Sequence, residues 1–114
     1  NLRKSVKEQA GDVRLSVGDI TIDLLKHEVT IKGKHVDLSP KEYALLSYLI
    51  RHKGKMLTHR QLLQEVWGPG HVEDTQYLRV YMGQLRRKIE PTPESPVYIV
   101  TEAGIGYRMD EPPK

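Results

Sequence analysis

Cysteine and phenylalanine are absent from this 114-residue sequence, and tryptophan occurs once. Without cysteine the chain forms no disulfide, no cysteine-based zinc site and no thiol nucleophile. No apolar run approaches the roughly 18 residues that a membrane-spanning helix requires, so we expect no membrane partner. The first residue is Asn1 and no apolar signal segment follows it, and we therefore expect a domain cut from a longer protein.

Catalytic and metal-binding patterns are also missing from the sequence. The five histidines form no i, i+4 pair and have no carboxylate at ligand spacing, which argues against a metal site. Ser47 and His52 share a predicted helix without an acidic partner, so no catalytic triad is supported. Gly104-Ile105-Gly106 lacks the strand and helix context of a nucleotide-binding loop. We predict that the protein is not an enzyme and binds no cofactor.

Positive charge is concentrated in one segment. The net charge of +3 supports only weak attraction to a polyanion. Between positions 75 and 88, however, the sequence contains no acidic residue and four basic ones, Arg79, Arg86, Arg87 and Lys88. A basic block within one predicted element is typical of a nucleic-acid-binding surface.

The N-terminal third is predicted to form a small antiparallel sheet. Apolar and polar residues alternate between positions 15 and 38, which is the period of a β-strand. The alternating apolar positions are Ile20, Ile22 and Leu24, then Val29 and Ile31, then Val36 and Leu38. Lys32-Gly33-Lys34 predicts a hairpin turn.

Three helices are predicted after the sheet. Ser39 with Glu42 forms a capping box that begins a helix over about 40–53, which ends at Gly54. Thr58 with Gln61 forms a second capping box and begins a short helix that ends before the W-G-P-G stretch. In the third helix, over about 75–90, the apolar stripe consists of Leu78, Met82, Leu85 and Ile89, and Glu73 and Asp74 precede it as cap and dipole groups. The opposite face contains Gln76, Val80, Gly83 and Arg87.

A Gly-tipped hairpin closes the chain. Alternation over 97–101, a turn at 104–106 and a further apolar pattern predict two strands. Helix, loop, helix and hairpin in this order are typical of a winged helix-turn-helix, although the connector Trp67–Asp74 is longer than the usual turn. We predict a linker remnant at 1–13, a winged-helix domain at 14–110 and a tail at 111–114.

The third helix is the best candidate for function. Val80 could contact a thymine methyl, Gln76 or Gln84 could pair with adenine, and Arg87 could reach guanine or phosphate. The alternative is an amphipathic helix whose basic face is simply solvated. Trp67 similarly has two interpretations, as a core anchor of its loop or as part of a contact surface.

Several stretches resemble the effector domain of OmpR/PhoB-type response regulators, the DNA-binding half of bacterial two-component systems. They are L-S-P-K-E-Y-A-L-L, G-K-M-L-T-H-R-Q-L-L, V-W-G, L-R-R-K-I-E and T-E-A-G-I-G-Y-R, and the resemblance covers about 15–109. W-G-P-G-H-V-E and Y-L-R-V-Y-M-G-Q-L-R most resemble the members that regulate potassium uptake. The resemblance implies an α+β winged helix-turn-helix with an N-terminal antiparallel four-stranded sheet, three helices and a C-terminal β-hairpin wing.

The resemblance also implies roles for individual residues. Base-reading positions match Val80, Gln84 and Tyr81. Phosphate-contacting positions match Gln76, Arg79, Arg86 and Arg87. The wing positions are Thr101, Ala103 and Gly104. The connector matches a loop that touches RNA polymerase in activators, with Trp67, Gly68 and Val72 as its exposed face. Many members have arginine where this chain has Gly83, Gln84 and Ala103, so we expect a weak minor-groove contact.

The implied partners are double-stranded DNA in direct repeats, RNA polymerase, and, in the full-length protein, a receiver domain and a sensor histidine kinase. The resemblance further implies a bacterial cytoplasmic transcription factor whose isolated effector domain is monomeric. Because fold alone does not fix function, a winged-helix protein-interaction module without specific DNA binding is the rival hypothesis.

Overall fold

The computed structural model describes residues 14–111, so the predicted linker at 1–13 and residues 112–114 of the predicted tail lie outside it. The described chain begins with four antiparallel strands paired in sequence order. They are β1 (Arg14–Val17), β2 (Ile20–Asp23), β3 (Glu28–Ile31) and β4 (Lys34–Val36). The predicted sheet is confirmed, including the hairpin turn between β3 and β4.

Leu24 and Leu38 were expected in strands, but the structure places both in connections. The chain turns after β2 because Oδ1 of Asp23 accepts hydrogen bonds from the backbone N–H groups of Leu25 and Lys26 at 3.0 and 3.1 Å. This local bond competes with strand pairing and favours a turn. Both leucines nevertheless pack partly against the core.

The three predicted helices are present as α1 (Pro40–Arg51), α2 (His59–Val66) and α3 (Thr75–Ile89). Both capping boxes form: Ser39 caps α1 with Glu42, and Thr58 caps α2 with Gln61. These reciprocal bonds satisfy N–H groups that a helix start otherwise leaves unpaired. α1 ends at Arg51, slightly before the predicted boundary, and Gly54 takes a positive φ of 86° just beyond it.

The chain closes with a hairpin of β6 (Ile99–Glu102) and β7 (Gly106–Met109). A further strand, β5 (Leu57–Thr58), pairs with β7, so the hairpin belongs to a three-stranded sheet. With two residues, β5 is too short to show an alternating pattern and was not predicted. The pairing requires Gly106, because a Cβ there would lie 1.9 Å from the backbone oxygen of Leu57.

The hydrophobic core lies between the helices and the two sheets. α3 contributes Leu78, Met82, Leu85 and Ile89, all buried as predicted. At the end of α3, the buried carboxylate of Glu90 accepts hydrogen bonds from the N–H groups of Val97, Tyr98 and Ile99 at 2.8–3.1 Å. This carboxylate fixes the start of β6 relative to the end of α3. No helix within residues 14–111 is both long and apolar enough to cross a membrane.

Candidate nucleic-acid interface

The outer face of α3 is polar and accessible. Gln76, Arg79 and Arg87 are exposed, and Val80 retains 50% of its accessible surface. Gln84 is half-buried one turn beyond Val80. The helical period therefore places Gln76, Val80 and Arg87 opposite the apolar stripe and leaves Arg79 and Gln84 on its two flanks.

Tyr81 lies at the edge of this face and is half-buried. Its ring meets the ring of Trp67 edge to face, with the centroids 5.2 Å apart. An edge-to-face contact of this kind is favourable and orients both rings. Tyr81 is therefore engaged in packing, although the resemblance implied a base-reading role for it.

Sequence reasoning left Tyr77 without a role, yet it is 53% exposed. Tyr77 precedes Gln84 by two helical turns, so the two side chains occupy the same flank of α3. The helical period could have identified it. A phenol there can donate a hydrogen bond to phosphate or present an aromatic face to a base.

The basic block of α3 divides into two cations with unpaired side chains and two with paired ones. The side chains of Arg79 and Arg87 make no hydrogen bond or ion pair within residues 14–111. Arg86, by contrast, donates from one terminal nitrogen to the backbone oxygen of Ile99, at 2.7 Å, and to Oγ1 of Thr101. Its guanidinium also lies 5.6 Å from the centre of the Tyr107 ring, and its Nε is buried without a partner.

Lys88 is the second cation with a paired side chain. Its Nζ donates to Oε1 of Glu42 at 2.6 Å. Burial raises the pKa of Glu42, but the hydrogen bond from Lys88, the backbone bond from Ser39 and the Lys88 charge outweigh that effect, so the pKa is lowered from 4.5. Lys88 thus neutralises a buried carboxylate of α1.

The hairpin of β6 and β7 places the predicted wing residues in solvent. Thr101, Ala103 and Gly104 are exposed, and Gly104 has a positive φ of 76° at the tip. Ile105 beside them keeps 52% of its surface. The tip itself, from Ala103 to Ile105, is therefore uncharged.

Arg108 on β7 is paired with acidic side chains. It bonds to Asp110 at 2.9 Å and approaches Glu102 at 3.8 Å. The hydrogen bond to Asp110 and its charge raise the pKa of Arg108. The wing therefore presents no free arginine at its base, consistent with its uncharged tip.

The loop between α2 and α3 is ordered by contacts at both ends. Lys41 donates to the backbone oxygen of Val66 at 2.9 Å and lies 5.6 Å from the centre of the Trp67 ring. At the other end, His71 and Asp74 are hydrogen-bonded at 2.8 Å. Asp74 occupies the N-cap position of α3, but its carboxylate makes no cap bond to the helix, which corrects the predicted capping role.

The exposure expected within this loop was wrong. Trp67, Gly68 and Val72 are half-buried, and Trp67 packs on the core and on Tyr81. The residues that face solvent are Pro69, Gly70, His71 and Glu73. Any partner of the loop would meet these residues first.

Two histidines pair with aspartates, which sequence spacing alone did not suggest. His35 bonds to Asp37 at 2.8 Å, and His71 bonds to Asp74 at the same distance. Each pair contains a single carboxylate. No group of three or more potential metal ligands occurs in the part of the chain described, residues 14–111.

Residues 33–109 match the family described as transcriptional regulatory protein, C terminal. The chain is 45% identical, over 95% of its length, to the KDP operon transcriptional regulatory protein KdpE of Escherichia coli (strain K12), of which it covers 48%. It is 42% identical, over 89% of its length, to the sensory transduction protein RegX3 of Mycolicibacterium smegmatis (strain ATCC 700084 / mc(2)155), of which it covers 44%. The chain thus spans about half the length of the curated relatives it matches.

Solved structures give the same result. The response regulator DrrB, a Thermotoga maritima OmpR/PhoB homolog, superposes with a TM-score of 0.76 and 32% identity, covering 86% of this chain and 44% of that one. The DNA-binding domain of RstA from Klebsiella pneumoniae, solved in complex with the RstA box, gives a TM-score of 0.78 and 27% identity. That match covers 86% of this chain and 97% of the RstA chain.

Proposed function

The chain belongs to the transcriptional regulatory protein C-terminal family, as a response-regulator DNA-binding effector domain of the OmpR/PhoB type, and we propose that it binds specific double-stranded sequences to control transcription. The observation that supports sequence-specific binding is the outer face of α3. There Val80 lies opposite a fully buried apolar stripe, Gln84 lies on the adjoining flank, and the exposed cations Arg79 and Arg87 precede and follow them along the helix. A major groove admits one helix, so this face is the one that would meet base edges.

Different contacts would have different roles in the complex. Arg79, Arg87 and Gln76 would contact phosphates and set the register of the domain on DNA, because phosphate contacts carry no sequence information themselves. Val80 and Gln84 would discriminate between bases, each good contact contributing roughly 1–3 kcal/mol. Tyr81 would act at the edge of the reading face, because its ring packs edge to face with Trp67.

The hairpin and the loop would meet further partners. Thr101, Ala103 and Gly104 would follow the adjacent minor groove as a wing, and the uncharged tip supports a weak contact there. In the loop, the solvent-facing residues Pro69, Gly70, His71 and Glu73 are the ones available to RNA polymerase. This surface would be supported on its inner side by Trp67, Gly68 and Val72.

In the full-length protein we propose a receiver domain that is phosphorylated by a sensor histidine kinase, and cytoplasmic action in a bacterium. Binding to two direct repeats would then depend mainly on receiver pairing. The isolated domain would be monomeric and would bind modestly, because each copy contributes only its own contacts.

Potassium-uptake genes are the proposed target. The support is the 45% identity to KdpE of Escherichia coli together with the loop and helix stretches noted in the sequence. RegX3 proteins match at nearly the same identity, so the operator sequence itself must distinguish the two assignments.

Selection of bound duplexes from a random double-stranded pool at about 0.15 M salt tests the function directly. Enrichment of a motif, above all two short direct repeats about one helical turn apart, is the expected result, and its occurrence upstream of potassium-transport genes would support the target. Binding without enrichment would contradict sequence-specific recognition by the isolated domain. A folded domain that binds no duplex would favour the protein-interaction hypothesis.

A further inference from the structure

Arg86 is bound within the domain in a way that Arg87, its neighbour in sequence, is not. Its terminal nitrogen donates to the Ile99 backbone oxygen and to the Thr101 hydroxyl, and its guanidinium covers the Tyr107 ring. Arg87 is exposed, and its side chain makes no hydrogen bond or ion pair within residues 14–111. Two adjacent arginines of one basic block therefore have different tasks.

The Arg86 contacts join α3 to both strands of the hairpin. Ile99 and Thr101 lie two residues apart on β6, and Tyr107 on β7 is the register partner of Thr101. A planar guanidinium can donate along its edge while its face covers an aromatic ring, which an ammonium group does less well. One side chain thus fixes the hairpin against the helix.

The bond to Thr101 also has a consequence for the hydroxyl. A hydroxyl that accepts a hydrogen bond through a lone pair still has its own proton to donate. Because the donor is a cation, the hydroxyl is polarised and its proton becomes a better donor. Thr101 is exposed, so that proton is available to a phosphate oxygen outside the domain.

We propose that Arg86 acts on DNA through Thr101, as a positioning residue that holds the wing on α3 and presents the Thr101 hydroxyl to a backbone phosphate. This inference rests on the proposed DNA-binding function and deepens it. It replaces the direct phosphate contact expected for Arg86 from the sequence. Arg87 and Arg79 are still expected to contact phosphates directly.

A charge-conserving substitution separates the two roles. R86K and R86Q are compared with R87K and R87Q by titrating a selected duplex at several salt concentrations. A lysine can replace a direct phosphate ligand as a point charge, whereas it does not replace the stacked, edge-donating guanidinium. We expect R86K to lose affinity about as strongly as R86Q, by about tenfold, with the salt slope near that of the wild type.

Arg87 is the matched comparison. R87Q is expected to lower the salt slope by about 0.9, the value for one lost phosphate contact, and R87K to recover most of the affinity that R87Q loses. If R86K and R86Q instead behave like R87K and R87Q, Arg86 is a direct phosphate ligand and the proposal is overturned.

T101V tests whether the Thr101 hydroxyl is the group that contacts the phosphate. It removes the hydroxyl while leaving a β-branched side chain of similar shape. We expect T101V to weaken binding to a degree similar to R86K, and the double variant R86K/T101V to lose little more than either single variant, since residues of one network are not additive. If the affinity losses of the two single variants add up in the double variant, Arg86 and Thr101 act independently and the proposal is contradicted.

Hydrogen exchange of the free protein gives a readout that requires no DNA. We expect faster amide exchange over residues 99–109 in R86K than in R87K, with both variants folded by circular dichroism. Equal exchange would overturn the positioning role. Failure of the wild type to bind any duplex would overturn the proposed function itself, and the exchange result would then still decide whether Arg86 holds the hairpin.

Discussion

Nζ of Lys88, near the end of α3, lies 2.6 Å from Oε1 of Glu42 in the first turn of α1. The same oxygen accepts the backbone N–H of Ser39 at 2.8 Å and so closes the α1 capping box. The Glu42 side chain is 3% exposed and that of Lys88 is 40% exposed. A cation of the basic block is therefore used to stabilise the joint between two helices.

E42Q should destabilise the fold at neutral pH by about 1–3 kcal/mol, because it replaces a charge-assisted bond inside the domain. The Glu42 pKa is lowered in the folded state, so its stabilising contribution is complete above 4.5 and is lost as the pH falls through the folded-state pKa. Urea unfolding of both proteins over a pH series measures the effect. The difference in the free energy of unfolding between wild type and E42Q should narrow as the pH is lowered below 4.5. A difference that does not depend on pH would contradict the stabilising role of ionised Glu42.

Arg87→Ala should weaken binding to every duplex to a similar extent. Its side chain is exposed beside the reading face and has the chemistry of a phosphate contact, which lowers the slope of log affinity against log salt by about 0.9 when removed. Titrations of a selected duplex and a scrambled one at several salt concentrations measure both quantities. A loss confined to the selected duplex would show that Arg87 reads bases.

Gln84→Ala should change sequence preference more than total affinity. Glutamine pairs with adenine through two hydrogen bonds in the major groove, and losing such a pair removes roughly 1–3 kcal/mol of discrimination. Repeating the duplex selection with the variant should yield a motif relaxed at one position of each repeat. An unchanged motif would exclude Gln84 from base reading and would direct attention to Tyr77 on the same flank.

Trp67→Ala should destabilise the domain by about 2 kcal/mol or more, because it removes a ring packed on the core and on Tyr81. Trp67→Phe, which keeps an aromatic ring, is the matched variant and should lose much less. Thermal unfolding measures the difference. If the alanine variant is as stable as the wild type, Trp67 is part of a contact surface and not a core anchor.

Gly106→Ala should separate β5 from β7. The added Cβ would lie 1.9 Å from the Leu57 backbone oxygen, which forces the strands apart because backbone cannot yield as a flexible side chain can. Gly104→Ala is a useful comparison, since no atom lies within 4 Å of its Cβ position, although its positive φ adds strain there. Unfolding free energies of the two variants should show the larger loss for Gly106→Ala, with accelerated hydrogen exchange at 57 and 58.

Local patterns predicted most of the architecture. The capping boxes at Ser39 and Thr58 begin the first two helices as expected, and the 3.6-residue period correctly identified the buried stripe of α3. These features depend on residues close in sequence, whose geometry is fixed by the element itself. The same period also predicted that the side chains of Arg79 and Arg87 are exposed.

Contacts between distant segments could not be predicted from the sequence. Nothing in the spacing of Lys88 and Glu42, or of Arg86 and Thr101, shows that they meet, because each pairing depends on how α3 packs on another element. The same holds for Trp67, whose half-burial results from Lys41 on α1 and Tyr81 on α3. Composition therefore does not show which α3 cations are paired within the domain, as Arg86 and Lys88 are.

Gly83 lies within α3, and apart from its chain neighbours and the backbone of its own helix no heavy atom lies within 4 Å of the position that a Cβ would take. Glycine inside a helix lowers its stability by roughly 1 kcal/mol relative to alanine, and the surroundings of Gly83 do not require it. A Cβ could be added at this position without meeting a neighbouring element. The outer face of α3 can therefore be altered at this position by design without changing the core that supports the helix.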